Sequence, residues 1–396
     1  MLDTKKISVH LFLIVNLLTV FSVLILHKDI VNSALISLVV FTSFILITLS
    51  EKKYFKFTRI QFIVIGLIFF SAICVLCIQN IVLTNTYDQY GRSALGWSAI
   101  AMISNLIWFC WGLVIANSID IKSRMAPLFY TSILFITICS NIENIFKGVV
   151  FSVGNSHGGS ETFNHLFVTS NVVILFFYCF SAFKGVGRFF ISVVYLFLLF
   201  SLQGRAALLG CVITLLIFWI IKSNIYDKIK FVIPLLICTF LIFLYVDLGD
   251  FSSHFGSRFS FSGGVGGDTS FYNRIRGMIE GSNWLIEQFF VGDPTIFISQ
   301  MSGLGSYMHN FISTWQIYGF PFSVVLLVGV LTGVTRIYSI IDLNKSSHVF
   351  IFLTLIYSLL QIIVAQSILF KLFWFALGIT LFRSEYSYTR IKRSLC

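Results

Sequence analysis

Apolar residues fill this chain in long runs, and short charged or glycine-containing breaks separate one run from the next. A helix that crosses hydrocarbon needs about 20 predominantly apolar residues, and windows of that kind recur from end to end. The pattern predicts about twelve spanning helices, at roughly residues 8–26, 29–49, 60–82, 97–117, 126–142, 164–182, 188–204, 206–221, 230–246, 312–335, 347–366 and 369–383. One interruption breaks the rhythm. From Asp247 to Asn310 the chain turns polar and gathers glycines, serines, arginines and the histidines His254 and His309. The expected architecture is therefore an all-α polytopic membrane protein in three parts. Residues 1–246 carry spans 1–9, residues 247–310 form a large loop with an amphipathic helix, and residues 311–396 carry spans 10–12 and a tail.

Composition agrees: 57% of the 396 residues are apolar, 17% are aromatic and 11% charged, and the mean hydropathy is +0.93, which excludes a soluble domain of this length. The net charge of +11 does not imply a nucleic-acid partner, because the basic residues alternate with the spans instead of gathering into one patch. That alternation orients the chain. With a cytoplasmic N-terminus, most of the 27 lysines and arginines fall inside, among them Lys52, Lys53, Arg124, Lys184, Arg188, Lys222, Lys230, Arg336 and Arg393. Lys28, Arg92, Lys147, Arg205, Arg258, Arg274, Arg276 and Lys371 fall outside or near outer helix ends. The expectation is that both termini are cytoplasmic and the 247–310 segment extracytoplasmic. The first apolar segment, behind Lys5 and Lys6, imitates a signal peptide, but no small-residue cleavage site follows before His27 and it is read as a helix.

Cysteines suggest no disulfide framework, since all of the eight but Cys396 lie within predicted spans. Cys74 and Cys77 have the C-x-x-C spacing inside an apolar helix, where packing is the ordinary explanation. The span centres carry no ionisable group, which weakens a coupled-carrier reading and leaves it open. Asn105 and Gln361 are read as contacts between helices, and His165 opens the sixth span.

Chemistry is then sought at the outer surface. Arg205 lies in the tight turn Gln203-Gly204-Arg205-Ala206, where a guanidinium either grips a phosphate or snorkels to lipid headgroups. Asp268-Thr269-Ser270 is a helix start, and Phe271, Ile275, Met278, Leu285 and Phe289 draw an apolar line along the segment that follows. Arg274 borders that line at phosphate depth, whereas Arg276 is turned away and can pair with Glu280. Glycines and serines between Gly256 and Gly267 suggest an approach loop. His309-Asn310 stands where the loop re-enters the membrane, and a histidine there either donates to a phosphate oxygen or takes a proton from an attacking hydroxyl. Arg92 and Arg258 are further candidates for glycan or diphosphate binding, with solvation as the default. Asp88, Glu143, Glu161 and Glu280 are alternative bases. Trp97, Trp284 and Trp315 are either sugar-stacking or interfacial aromatics. No Asp-x-Asp and no His/Cys cluster with ligand spacing points to a metal, and Asp247-Leu248-Gly249-Asp250 reads as juxtamembrane solvation.

These residues resemble the bacterial O-antigen polymerase and O-antigen ligase superfamily, multispan glycosyltransferases that use undecaprenyl-diphosphate-linked sugars. The resemblance covers the topology and roughly residues 201–322. It rests on Gly204-Arg205 between two spans, on Arg274 followed by Gly292, and on His309-Asn310 followed by Gly319. Gly292-Asp293-Pro294 departs from the family's usual Gly-x-Gly. Gly319-Phe320-Pro321 lacks the Gly-Thr that tends to follow in ligases, which favours the polymerase branch. The resemblance implies a fold like that of GT-C-type glycosyltransferases in the bacterial inner membrane, with the active site on the periplasmic side. It implies inverting transfer without a metal or cofactor, with Arg205 and Arg274 on the diphosphate and His309 binding it or activating the acceptor. Arg258, Arg276, Asn310 and Arg92 become candidate substrate contacts. The implied partners are undecaprenyl-diphosphate-linked oligosaccharides and the bilayer, with a chain-length regulator as a candidate. A ligase and a lipid-linked oligosaccharide flippase or exporter remain the alternatives.

Overall fold

The computed structural model describes residues 4–26, 58–87, 93–116, 124–142, 165–202, 204–222, 289–296, 310–364 and 368–382, with isolated positions between them. The spans expected at 29–49 and 230–246, and most of the 247–310 loop, lie outside the described residues. The helices are α1 (Thr4–Leu26), α2 (Arg59–Val82), α3 (Ala94–Ala116), α4 (Met125–Ser140), α5 (His165–Ala182), α6 (Val186–Ser201), α7 (Arg205–Lys222), α8 (Ser313–Tyr318), α9 (Phe320–Ile340), α10 (Ser346–Val364) and α11 (Lys371–Phe382). Among the described residues the only bridge between extended segments joins Tyr87 and Ser93.

Among the described residues, four helices are long and apolar enough to cross a membrane: Arg59–Val82, Ala94–Ala116, Phe320–Ser339 and Ser346–Val364. Six shorter apolar helices accompany them. The outward faces fit a lipid solvent. Phe62, Phe70 and Ile81 of α2 are 69%, 66% and 83% exposed, and Phe129 and Leu331 also face out. Water would make such a contiguous apolar exterior an aggregation surface.

A helix that is apolar on every side belongs inside a bundle, and α5 is one. Val172 through Phe180 are all buried, surrounded by α1, α4, α6, α7 and α10. The tightest pairing is between α3 and α11. Gly112 and Gly378 meet there: a Cβ on Gly112 would fall on the Phe375 carbonyl and within 3.0 Å of the Gly378 Cα. Small residues let the backbones approach this closely, the usual way membrane helices gain packing without a hydrophobic driving force. Phe12 of α1 closes the crossing, edge-on to Trp111 and stacked on Phe375, each at 4.6 Å between centroids.

Hydrogen bonds define two ends of the bundle. Since α7 begins at Arg205 and finishes at Lys222, its bonds mark both: Gln361 Nε2 donates to the Ala206 carbonyl at 2.7 Å, and Lys222 Nζ donates to the Leu343 carbonyl at 2.8 Å. At the Lys222 end, Thr58 and Gln61 form a reciprocal capping box at the start of α2, and both Gln61 and Arg336 donate to the Leu381 carbonyl.

One expectation is corrected. The span expected as continuous over 312–335 is two helices, α8 and α9, broken at Gly319, whose φ of +84° and ψ of 163° no helix contains. Pro321 then stands in the first turn of α9, where its missing N–H costs nothing.

Candidate functional site

The Arg205 end brings together three segments that are far apart in sequence. Residues 289–296 lie against the break between α8 and α9, joined by backbone bonds from Asp293 N to the Gln316 carbonyl (2.8 Å) and from Phe320 N to the Phe289 carbonyl (2.9 Å). Gly292 and Gly319 are the contact. Both have positive φ, +67° and +84°. A Cβ on Gly292 would lie 2.7 Å from Tyr318 N, and one on Gly319 would lie 2.6 Å from the Phe290 carbonyl carbon. No other residue fits either position, because an L side chain is strained at these dihedrals and has no room.

Gln79, near the end of α2, fastens both sides of this contact. Its Nε2 donates to the Val291 carbonyl at 3.0 Å and to the Ile317 carbonyl at 2.6 Å. Aromatic packing covers the outside, with Phe289 against Trp315 at 5.2 Å and against Phe320 at 4.7 Å. Leu285 and Phe289, both on the apolar line expected for the loop helix, are buried and half-buried, while Ile286 and Phe290 are exposed.

Asn310 is buried at the entry to α8. Its Oδ1 accepts from Ile312 N at 2.9 Å, and its carbonyl accepts from Ser313 Oγ at 2.6 Å. The carboxamide oxygen therefore shapes the turn that follows His309. Ser313 Oγ also accepts from Ile368 N at 2.8 Å, and Gln366 N donates to the Gln361 carbonyl at 2.7 Å. Gln361 in turn holds Ala206. A continuous set of contacts thus joins the Asn310 turn, the α10–α11 connection and the start of α7.

Arg205 is the first residue of α7. Gly204 before it is buried against α5, and a Cβ there would lie 2.5 Å from Thr169 Cγ2. The first-turn N–H groups of α7 have no intrahelical partners and carry partial positive charge. This helix end is electrostatically suited to an anion.

Of the other expected site residues, Arg92, Arg258, Arg274, Arg276 and His309 lie outside the described residues, as do Asp88, Glu143, Glu161 and Glu280. Gln361 does act between helices, on the Ala206 carbonyl of α7, whereas Asn105 Nδ2 donates to the Ile368 carbonyl of the α10–α11 connection at 3.4 Å. Sequence reasoning missed Gln79, Ser313 and Asp293. Asp293 is a buried carboxylate whose Oδ1 accepts from Thr295 N and Oγ1 at 2.7 and 2.6 Å. A lone amide within an apolar span is the signal that could have marked Gln79. Among the described residues, three hydroxyls at this end, Thr86 Oγ1, Ser98 Oγ and Thr314 Oγ1, are buried without a partner. Among the described residues, no group of three His, Cys, Asp or Glu side chains is arranged to hold a metal ion.

No family model, no curated protein and no solved structure matches this chain.

Proposed function

We propose that this protein is a membrane glycosyltransferase of the polysaccharide-polymerase type, transferring undecaprenyl-diphosphate-linked glycan onto a lipid-linked repeat unit. The observation that carries this reading is the convergence at one end of the bundle. Gly204-Arg205, Gly292, and Asn310 with Gly319 are the described pieces of the resemblance, and they are tied together by Gln361, Ser313 and Gln79.

The proposed chemistry needs little beyond positioning and charge. A lipid-diphosphate sugar is already activated. The acceptor hydroxyl attacks the anomeric carbon from the face opposite the diphosphate, the C–O bond to the diphosphate breaks, and the configuration inverts. Arg205, at the N-terminus of α7, and Arg274 take up the charge that develops on the leaving diphosphate. His309 accepts the proton of the attacking hydroxyl or binds the diphosphate. The Asn310 turn fixes where His309 enters, and Arg92, Arg258 and Arg276 are proposed to contact the glycan or the diphosphate. Neither metal nor cofactor takes part.

The proposed topology has about twelve spans, with both termini in the cytoplasm and the site on the periplasmic face of the inner membrane. Supporting it, Lys222 and Arg336 gather at the end opposite Arg205. Gene deletion in a host that makes a surface-glycan ladder tests the function, with complementation by wild type, Arg205→Ala, Arg274→Ala and His309→Ala at matched protein levels. A core-plus-one-repeat band without long ladders is the expected result for the deletion and for each variant. Loss of every repeat-bearing band would point instead to a ligase or flippase. Intact ladders with Arg205→Ala or Arg274→Ala would remove the diphosphate clamp.

A further inference from the structure

At the end opposite the candidate site, Arg188 is a buried cation with no acid against it among the described residues. It is 3% exposed, three residues after Gly185, the last residue of the turn that joins α5 to α6. Its Nε donates to the Phe180 carbonyl at 3.2 Å. Its guanidinium carbon stands 5.1 Å from the Phe180 ring centroid and 5.3 Å from that of Phe218. Lys222 Nζ stands 5.5 Å from the same Phe218 ring. Lys222 also feels the positive charges of Arg188 and Lys184, with Asp342 as the acid that opposes them. Asp342 is itself shared, being 3.8 Å from Lys345 Nζ.

Burying a charge is tolerated when it is paired, and ring faces with one carbonyl do not neutralise a guanidinium. The C-terminal ends of α5 and α7 help, each worth about half a negative charge. Set against Asp342 and these two ends, the four cations Lys184, Arg188, Lys222 and Lys345 leave about two positive charges over among the described residues. A planar fork with a compact ammonium beside it, set between helices at one end of an apolar bundle, is the arrangement that takes a phosphate.

We infer that Lys184, Arg188 and Lys222 form a phosphate-binding site between α5, α6 and α7 at the basic end of the bundle. Its ligand is a phosphate monoanion or diester, supplied either by an anionic phospholipid headgroup or by free phosphate. The site is independent of the glycosyl transfer proposed above, and its test does not use that activity.

The full chain is reconstituted in nanodiscs containing equal phosphatidylglycerol and phosphatidylcholine, and the lipid retained after delipidation is read by native mass spectrometry. Parallel samples in phosphatidylcholine alone are titrated with inorganic phosphate, with thermal unfolding as the readout. Wild type is expected to retain phosphatidylglycerol selectively or to be stabilised by phosphate. Selective retention alone identifies the lipid headgroup, and stabilisation in phosphatidylcholine alone identifies free phosphate. Lys184→Gln/Lys222→Gln keeps Arg188 and its aromatic contacts. Each charge removed should weaken the effect about fivefold. Arg188→Lys keeps the charge but not the fork, and should weaken it less than the double variant. The site is refuted if wild type shows neither effect, or if the double variant matches wild type in both.

Discussion

Replacing Gly319 by alanine should undock residues 289–296 from the α8–α9 break. Two costs add. The backbone at φ +84°, ψ 163° is open to glycine almost alone, and holding another residue there costs about 1–3 kcal/mol. The new methyl would also overlap the Phe290 carbonyl and lie 2.6 and 2.9 Å from the carbonyl carbons of Phe290 and Val291, where carbon contacts prefer about 3.5–4 Å. The segment must retreat by about 1 Å. That lengthens the bonds Phe320 N to Phe289 O and Asp293 N to Gln316 O, at about 1 kcal/mol net each. Together the loss is roughly 3–5 kcal/mol, or about two to three and a half powers of ten in the docking equilibrium. Ile296, buried in the docked segment, supplies the reporter as Ile296→Cys in a background lacking the eight native cysteines. Maleimide labelling in detergent then reads the open fraction. Gly185→Ala is the control: its φ is also positive, at +54°, but no atom lies within 4 Å of the added Cβ. The expected result is labelling at least about 100-fold faster with Gly319→Ala and unchanged with Gly185→Ala. Labelling within about threefold of the parent would show that the two glycines are not a structural contact.

Gln79→Leu should speed the same labelling by about ten- to a hundredfold, less than Gly319→Ala, because it strands two carbonyls without blocking the approach of the backbones. An effect larger than that of Gly319→Ala would reverse the assigned order. Gly112→Ala and Gly378→Ala should each lower the folded protein recovered from membranes, with about 1–3 kcal/mol lost at the α3–α11 crossing. The double variant should lose less than the sum of the two, since either methyl already separates the same pair of backbones. Additive losses, measured by denaturant unfolding in detergent, would place the two glycines in separate contacts.

The helices were legible because membrane spans announce themselves by length and apolarity. The expected span at 60–82 matches α2 at Arg59–Val82, and 164–182 matches α5 at His165–Ala182. The break at Gly319 had a signal in the sequence, Gly319 with Pro321 two residues on, but reading the span by length and apolarity alone passed over it. A glycine's dihedrals are set by what presses on it, here the Phe290 carbonyl. Arg188 misled in another way. Counting charges places it among cytoplasmic loop residues, yet its stem and guanidinium pack between Phe180 and Phe218. Charge counting reads which end of the helix a cation occupies, but cannot read whether the cation is solvated there. Gln79 was invisible because one amide in an apolar span has many possible partners, and only the fold supplies Val291 and Ile317.

The contacts described at the candidate site are those of a scaffold. Backbone amides, a glycine pair and two glutamine side chains hold the segments, while the proposed charge chemistry falls to Arg205, Arg274 and His309. Scaffold and chemistry therefore fail alike in a ladder assay, since a misplaced arginine and a missing one both stop transfer. They differ in the docking equilibrium. A variant of Gln79 or Gly319 that abolishes ladders should also expose residue 296, whereas Arg274→Ala should abolish ladders with residue 296 as protected as in wild type. Arg274→Ala exposing residue 296 would make that arginine a structural tether of the loop, and the diphosphate clamp would then have to be assigned to other cations.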